Sequence, residues 1–475
     1  MKRTLLVIAA LALGIGLFAQ NPVIKGLYSA DPTARVFNGK VYLFASHDII
    51  SPVEPERKWF CMEDYHVFSS EDLVNWTDHG VILDQKDVPW GNPEGYSMWA
   101  PDCVEKDGKY YFYFPNASKA GRGFAVGVAI ADNPEGPYIP QAEPIEGING
   151  IDPCVLQASD GNAYIFWGNG RCAKLDPSMT KLADDNPKTT MKWGNREMEM
   201  VGVNCLEGLP NRQAEGPFAF EYNGNFYLTY PYVQENTEVL GYAMSKNPMG
   251  PYEYKGIIMA RSVNECWTNH HSFVNYKGQW YLFYHHNDFS PNFDKNRSVR
   301  IDKVRFNPDG TIEQVIPTLR GVGVTKATDH IQMDRYSAIY HYGVYVDLLD
   351  AANPFEGFYI HFARGSSWVR YDEIDFGENA PATVTFRYQA GEKSTVSLWL
   401  SDDVTLGSFD LPAAKTWKEV TLPVTAPKAP EAAPGPGFGS GFGPRVAPVT
   451  ATGVRNLKLR VDEAKDLDVD WISFE

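Results

Sequence analysis

Three places in the sequence set a carboxylate directly before a residue that forces a turn: Asp31-Pro32, Asp152-Pro153 and Glu215-Gly216-Pro217. Each alone reads as an acid capping a turn. Carboxylates crowded into one low-dielectric pocket repel one another and cannot all stay ionised. A fold that gathers three of them does so for acid–base chemistry or for a cation. The acid–base option makes specific demands. An ionised carboxylate activates water, a protonated one donates to a leaving oxygen, and a third raises the donor's pKa by like-charge repulsion. Those are the roles in glycosidic-bond hydrolysis with inversion, where base and acid stand roughly 6.5–9.5 Å apart.

The three acids matter only if the chain brings them together, and a repeat supplies the means. Five segments align: ADPTARVFNGKVYLF (30–44), APDCVEKDGKYYFYF (100–114), IDPCVLQASDGNAYIF (151–166), AEGPFAFEYNGNFYLTY (214–230) and NHHSFVNYKGQWYLFY (269–284). Each opens on small or polar residues, runs through an apolar stretch to a turn ending in glycine, and continues as an alternating strand rich in Tyr or Trp. Asn-Gly at 38–39 and 223–224, and Asp-Gly at 107–108 and 160–161, are strong hairpin signals. Between them DNPEGPY (132–138) and KNPMGPY (246–252) repeat an outer turn, and SSEDLVNWTDHG (69–80) holds the same slot in the first unit. Units of about 60 residues, each too small to bury its own faces, predict radial packing as a five-bladed β-propeller over 21–320. The openings of the innermost strands then converge at one mouth. These are Asp31, Trp99-Ala100-Pro101, Asp152, Glu215 and Asn269-His270.

The openings ADPT, IDPC and AEGPF, with MWAPD, NHHSF and NRSVRID, resemble glycoside hydrolase family 43 across all five units. The resemblance implies Asp31 as general base, Glu215 as general acid and Asp152 as modulator of its pKa. It also implies that Trp99 lines the sugar subsite and that Arg297 binds a sugar hydroxyl. His270 matches a histidine that supports a channel calcium or water cluster, so a structural calcium is implied there while the chemistry itself needs no cofactor. The activity implied is an inverting α-L-arabinofuranosidase or β-xylosidase acting on arabinoxylan, xylan or arabinan. An endo-acting arabinanase or xylanase on the same fold, or a non-catalytic carbohydrate-binding propeller, are the alternatives. The sucrose- and fructan-cleaving five-bladed enzymes do not fit, because Ala30 precedes Asp31 and the one Glu-Cys pair, Glu265-Cys266, falls before the fifth repeat.

Other motifs read as structure. On a strand adjacent side chains point to opposite faces, so neither His270-His271 nor His285-His286 can chelate as a unit, and apart from His270 they are expected to be structural. Asp102, Asp288 and Asp302 are read the same way. Of six cysteines, none forms a CxxC, and a core of this size needs no staples, so mostly buried thiols are expected.

Composition sets the outer limits. The 475 residues carry 43 basic and 59 acidic side chains, a formal charge of −16 that excludes a nucleic-acid partner. Lys2 and Arg3 precede an apolar run, Leu5 to Ala19, too short to span a bilayer. Residues 1–20 therefore read as a secretory leader, and the product as an exported protein, periplasmic or extracellular, with no membrane partner. A monomer acting on plant oligo- or polysaccharide is expected.

After a linker at 321–327 the pattern changes to short alternating runs such as FEGFYIHFA (355–363), ATVTFRYQA (382–390) and LDVDWISF (467–474). They predict an all-β chain in which the propeller is followed by a jelly-roll-like β-sandwich over 328–475, with a mobile Pro/Gly-rich loop at 426–448. SSWVRYDEIDFG and DLDVDWISF resemble carbohydrate-binding module family 6. By that resemblance Tyr371 matches a sugar-contacting tyrosine, whereas Ala413-Ala414 replaces the loop tryptophan and Asp468 an asparagine. Weak sugar binding and a largely structural role packed on the propeller are expected.

Overall fold

The turns form as their residues dictate. Asn38 and Gly39 have φ 51° and 78°, Asp107 and Gly108 53° and 75°, Asn223 and Gly224 49° and 66°, and Lys277 and Gly278 51° and 83°. Two successive positive φ values make the tight hairpin turn whose twist suits antiparallel strands. The Asp160-Gly161 hairpin differs, because only Gly161 is left-handed there and a longer loop is closed by Ala158 N–H on the Asn162 carbonyl.

This computed structural model describes residues 21–475 apart from 57, 122, 194–195, 207–214, 261–265, 341, 401–403, 426–450 and 465. The leader 1–20 and the 426–448 loop lie outside the described residues. The chain is all-β, and among the described residues its only helices are the 3-10 turns Gln85–Asp87 and Pro354–Glu356.

The hairpins seed five antiparallel sheets in chain order. The first holds β1 (Tyr28–Phe37), β2 (Lys40–Asp48), β3 (Met62–Ser70) and β4 (Thr77–Asp84). The second holds β5 (Asp102–Lys106), β6 (Lys109–Ala117), β7 (Phe124–Ala131) and β8 (Ile139–Pro140). The third joins β9 (Cys154–Gln157), β10 (Ala163–Trp167) and β11 (Arg171–Lys174) to β14 (Val203–Asn204). A separate ribbon, β12 (Lys188–Trp193) and β13 (Arg196–Val201), intervenes in sequence. The fourth holds β15 (Phe218–Tyr222), β16 (Asn225–Gln234), β17 (Thr237–Ser245) and β18 (Glu253–Met259), and the fifth β19 (His271–Tyr276), β20 (Gln279–His286) and β21 (Ser298–Val304).

The first strands contact one another in a closed cycle, β1 to β5, β5 to β9, β9 to β15, β15 to β19 and β19 back to β1. Apolar clusters fill the seams between neighbouring sheets: Phe44 with Phe112, Val104 with Ile165, Phe220 with Phe273, and Leu43 with Phe283. The N-terminal segment closes the cycle. Val23 N–H donates to the Val299 carbonyl at 2.9 Å, and the Asn21 amide bonds both Ile301 N–H and the Ile301 carbonyl. All six cysteines are buried, and none forms a disulfide.

Two six-stranded sheets follow. They share one buried cluster that includes Ile360, Val369, Phe386, Leu398, Leu459 and Ile472. The strand Thr383–Ala390 alternates strictly between half-buried and buried positions, the pattern of a strand with one face on a core. Thr325–Lys326 already pairs with Trp368–Asp375, and Ala327 is buried in the same cluster, so the second unit begins inside the stretch expected as linker. Lys303 reaches Glu373 at 2.7 Å across the junction.

Tyr371 corrects one expectation. It is fully buried, and its hydroxyl donates to the Met333 carbonyl at 2.5 Å, so its ring fills the core and cannot stack on a sugar. Asp468 accepts from Gln389 and faces His361 at 2.6 Å.

Candidate active site

Each of the three acids is aimed by a local backbone device. Asp31 and Asp152 have φ 48° and 58°, the left-handed region that non-glycine residues seldom occupy. At Asp31 the register of β1 against β2 shifts between Ala30 and Thr33, a bulge that re-aims a side chain. At Glu215 the left-handed residue is the next one, Gly216, with φ 53°. A Cβ there would stand 2.8 Å from His270 Nδ1 and 3.1 Å from Pro231 Cγ, so glycine is what lets His270 close against this turn. Asp31, Asp152 and Glu215 line one cavity of about 170 Å³ together with Trp99, His270 and Arg297. All the candidate site residues drawn from the sequence thus face one space.

Asp31 is held as a carboxylate. Burial opposes its ionisation, but Arg297, His270, His285 and Ser46 outweigh that and keep its pKa below the ordinary value. Arg297 Nη1 donates to Asp31 Oδ1 at 2.6 Å, and the Asp31 N–H donates to His285 Nδ1 at 3.1 Å. Burial keeps His285 neutral, so its Nε2 carries the proton and donates to the Thr268 carbonyl at 3.2 Å. That bond fixes the ring beside Asp31.

The other two acids are pushed the opposite way. Burial first, then the charges of Glu215 and Asp31, raise Asp152 well above the carboxylate range, although it accepts the Gly216 N–H at 3.0 Å. Burial also raises Glu215, Asp31 adds to the rise, and a hydrogen bond from Glu238 and the charge of Arg297 oppose it. Glu238 of β17, buried beside Glu215 and accepting the Asn269 N–H at 2.6 Å, is pushed up to about 9 by burial and by Glu215. The site therefore combines one ionised acid with a neighbouring group of acids that retains protons near neutral pH.

Several placements depart from expectation. Arg297 commits most of its N–H groups to carboxylates, donating also to Asp48 from Nε and Nη2, each at 2.9 Å. It clamps Asp31 and Asp48 from a buried position while lining the cavity. His285, expected from the sequence to be structural, stands in the cavity wall, whereas His271 turns away to Thr229 and His286 to Asp288. Trp99 lines the cavity as a half-buried ring packed on Phe124 at 4.7 Å and Phe60 at 5.9 Å. Trp59 and Trp267 add exposed rings at the same cavity, 47% and 39% accessible. Asp102, Asp288 and Asp302 are structural: they hold Arg35, Arg300, and the Tyr284 and Thr318 hydroxyls respectively.

Calcium takes six to eight oxygen ligands. Around His270 the carboxylate that bears on the ring is Asp31, already engaged by Arg297. His270 itself is kept neutral by burial, its pKa lowered to about 4. Among the described residues these side chains do not form a calcium cage. A larger cavity, about 330 Å³, lies where Lys303, Arg320 and Glu373 meet at the junction with the C-terminal sheets, and it contains none of Asp31, Asp152 and Glu215.

The family model for glycosyl hydrolases family 43 matches residues 19–312. Xylosidase/arabinosidase 43A of Humicola insolens is 36% identical over 329 residues, covering 61% of this chain and 98% of that protein. Among solved structures, a family 43 β-xylosidase/α-arabinofuranosidase from a compost microbial metagenome, in complex with xylotriose and in a calcium-free form, is 35% identical with TM-score 0.54. It covers 63% of this chain and 98% of its own. A family 43 arabinoxylan arabinofuranohydrolase of Bacillus subtilis, in complex with cellotetraose, extends the likeness of fold to 96% of this chain and 97% of its own, with TM-score 0.51 at 22% identity. With the family model spanning the repeat region and the acids of that region gathered in one cavity, the chain belongs to glycosyl hydrolase family 43.

Proposed function

We propose that this glycosidase is an exported, inverting enzyme that releases single arabinofuranosyl or xylosyl units from arabinoxylan, xylan or arabinan. The observation that carries the reading is the split protonation of one small cavity: Asp31 ionised on Arg297, and Glu215 raised beside Asp152 and Glu238. Asp31 takes a proton from a water that attacks the anomeric carbon. Glu215 gives its proton to the glycosidic oxygen as the bond from carbon to that oxygen breaks. The free sugar leaves with inverted configuration, and solvent restores both acids. Asp152 holds the Gly216 backbone and keeps the donor side of the site acidic.

Cavity size favours removal of one unit at a time. At about 170 Å³ it is smaller than the roughly 300–1,000 Å³ that encloses drug-sized ligands, so it suits a single ring better than a length of polymer. The xylosidase and arabinosidase relatives favour a pentose.

The closed cycle of first strands supports a five-bladed propeller over 21–320, with Asn21 and Val23 sealing the last blade. The shared core of the two later sheets supports a β-sandwich of module family 6 type, beginning near residue 325 and acting chiefly as structure. Export rests on the residue pattern of 1–20.

The test is hydrolysis of p-nitrophenyl arabinofuranoside and xyloside beside arabinoxylan and arabinan, with the product anomer read by NMR. Monosaccharide of inverted configuration is expected. Oligosaccharide products would favour the endo-acting alternative, a retained anomer would overturn inversion, and no turnover on any of them would overturn the pentose assignment.

A further inference from the structure

A second cluster of chemistry-bearing side chains lies in the first sheet, outside the catalytic cavity. Asp64 and His66 are two apart on β3 and so share a face. His47 comes from the end of β2, where the register against β3 shifts between Ser46 and Asp48 and brings its ring to the same place. His47 Nδ1 stands 3.0 Å from Asp64 Oδ1, and His66 Nε2 stands 3.9 Å from the same oxygen. One donor atom from each of the three residues falls within 4.8 Å of the others. None of the three lines the cavity that holds Asp31.

A further contact orients the cluster. Asp78 Oδ1 of β4 is 3.1 Å from His66 Nδ1. A carboxylate can only accept, so Nδ1 carries the proton and the Nε2 lone pair faces Asp64. A carboxylate behind a histidine, fixing its tautomer toward a central point, is the outer support found around metal-ligating imidazoles. The side chains are 22%, 9% and 14% accessible for His47, Asp64 and His66, so the cluster is sheltered yet reachable from solvent.

We propose that His47, Asp64 and His66 form a binding site for a divalent transition-metal ion of the zinc class, with Asp78 bracing His66. Two imidazoles and one carboxylate select such an ion over calcium or magnesium, which prefer all-oxygen cages. Zinc lies about 2.0–2.2 Å from each nitrogen and oxygen ligand in a tetrahedral site, which puts the ligands about 3.3–3.6 Å apart. The 3.0 Å from His47 Nδ1 to Asp64 Oδ1 and the 3.9 Å from His66 Nε2 to the same oxygen bracket that spacing, and the ion displaces the proton that His47 Nδ1 donates to Asp64. Water completes the coordination, and the ion clips β2 to β3. The inference does not depend on the substrate assignment.

The test is calorimetric titration of the chelator-stripped full-length protein with zinc chloride alone. One saturable equivalent is expected, undisturbed by excess calcium, and it is lost in His47→Ala and His66→Ala. Asp78→Asn, which keeps all three ligands, should weaken binding about 10- to 100-fold. Zinc should raise the melting temperature of the native protein but not of His66→Ala, while glycoside hydrolysis by His66→Ala stays at the native level. Absence of a saturable step would overturn the proposal, as would equal zinc uptake by both alanine variants, which would place the ion elsewhere. If the alanine variants fail to fold, Asp78→Asn decides: unchanged affinity overturns the proposal and the stated weakening supports it.

Discussion

The two halves of this chain use the same antiparallel hairpins and bury opposite things at their centres. Where the first strands of the five sheets converge, the interior holds Asp31, Asp48, Arg297, Glu238 and His285, all strongly buried. Where the two C-terminal sheets meet, the interior holds Ile360, Phe386, Leu398 and Ile472, and even the Tyr371 hydroxyl is satisfied by a main-chain carbonyl. Apolar seams stabilise both regions, since each buried aliphatic or aromatic side chain contributes on the order of 1.5–3 kcal/mol. Both regions also carry buried charge, which opposes folding unless paired, but in the C-terminal unit it is held in ion pairs, Asp334 with Arg335 and Asp470 with Arg387, whereas the first region gathers several acids on one cavity. Strain follows the charge, with left-handed backbone at Asp31 and Asp152 at the point where the carboxylates must enter the cavity. The comparison separates a face built to hold acids apart in protonation from a face built only to be filled.

Variants at the acids should produce the largest effects. Asp31→Asn removes the ionised group and should lower kcat about 10²- to 10⁴-fold on every substrate, measured by sugar release. Near-native turnover would break the assignment of Asp31 as base. Glu215→Ala should lower kcat by a similar factor on natural glycosides, but far less on p-nitrophenyl glycosides, whose leaving group needs little protonation. An equal loss on both would remove Glu215 from the donor's role.

In the C-terminal unit the effect should fall on stability. Tyr371→Ala should cost about 3–5 kcal/mol by denaturant unfolding, with catalysis of the folded fraction unchanged. Loss of sugar binding at unchanged stability would instead restore Tyr371 to a surface cleft.

The smallest effect sharpens the proton balance. The profile of kcat/KM against pH should be bell-shaped, falling in acid as Asp31 gains its proton and in alkali as Glu215 loses its own. Glu238 is uncharged near neutrality, and its hydrogen bond lowers the Glu215 pKa. Glu238→Leu removes that bond, so the alkaline limb should move upward. A downward movement would mean that Glu238 acts mainly by its charge.

The sequence made visible those parts of the structure that depend on local chemistry. Asn-Gly and Asp-Gly pairs announce tight turns because few residues accept two left-handed conformations in succession, and the acids stand out because they precede Pro or Gly at each strand opening. Arg297, Asp48 and Glu238 show why the rest was hidden. The Arg297 bonds to Asp31 and Asp48 join residues 266 and 249 positions apart, and no spacing rule links them. Asp48 closes β2 and Glu238 lies inside β17, away from any repeated opening. His285 was visible as half of a pair, but its face could be assigned only once the strand's register was known. Tyr371 could have been read from alternation, since it lies two residues from buried Val369 and so shares its face. The register shift between Tyr371 and Ile374 then breaks that alternation and obscures the pattern beyond.

The seal made by Asn21 and Val23 on β21 has a consequence for how the molecule is assembled. Sheet-to-sheet packing can accumulate as synthesis proceeds, but the circuit is completed only when Val299, Ile301 and Leu319 are available to the segment made first. Trimming a few residues from the start of that segment should therefore loosen the same sheet as damage near residue 300, although the two sites lie at opposite ends of the repeat region.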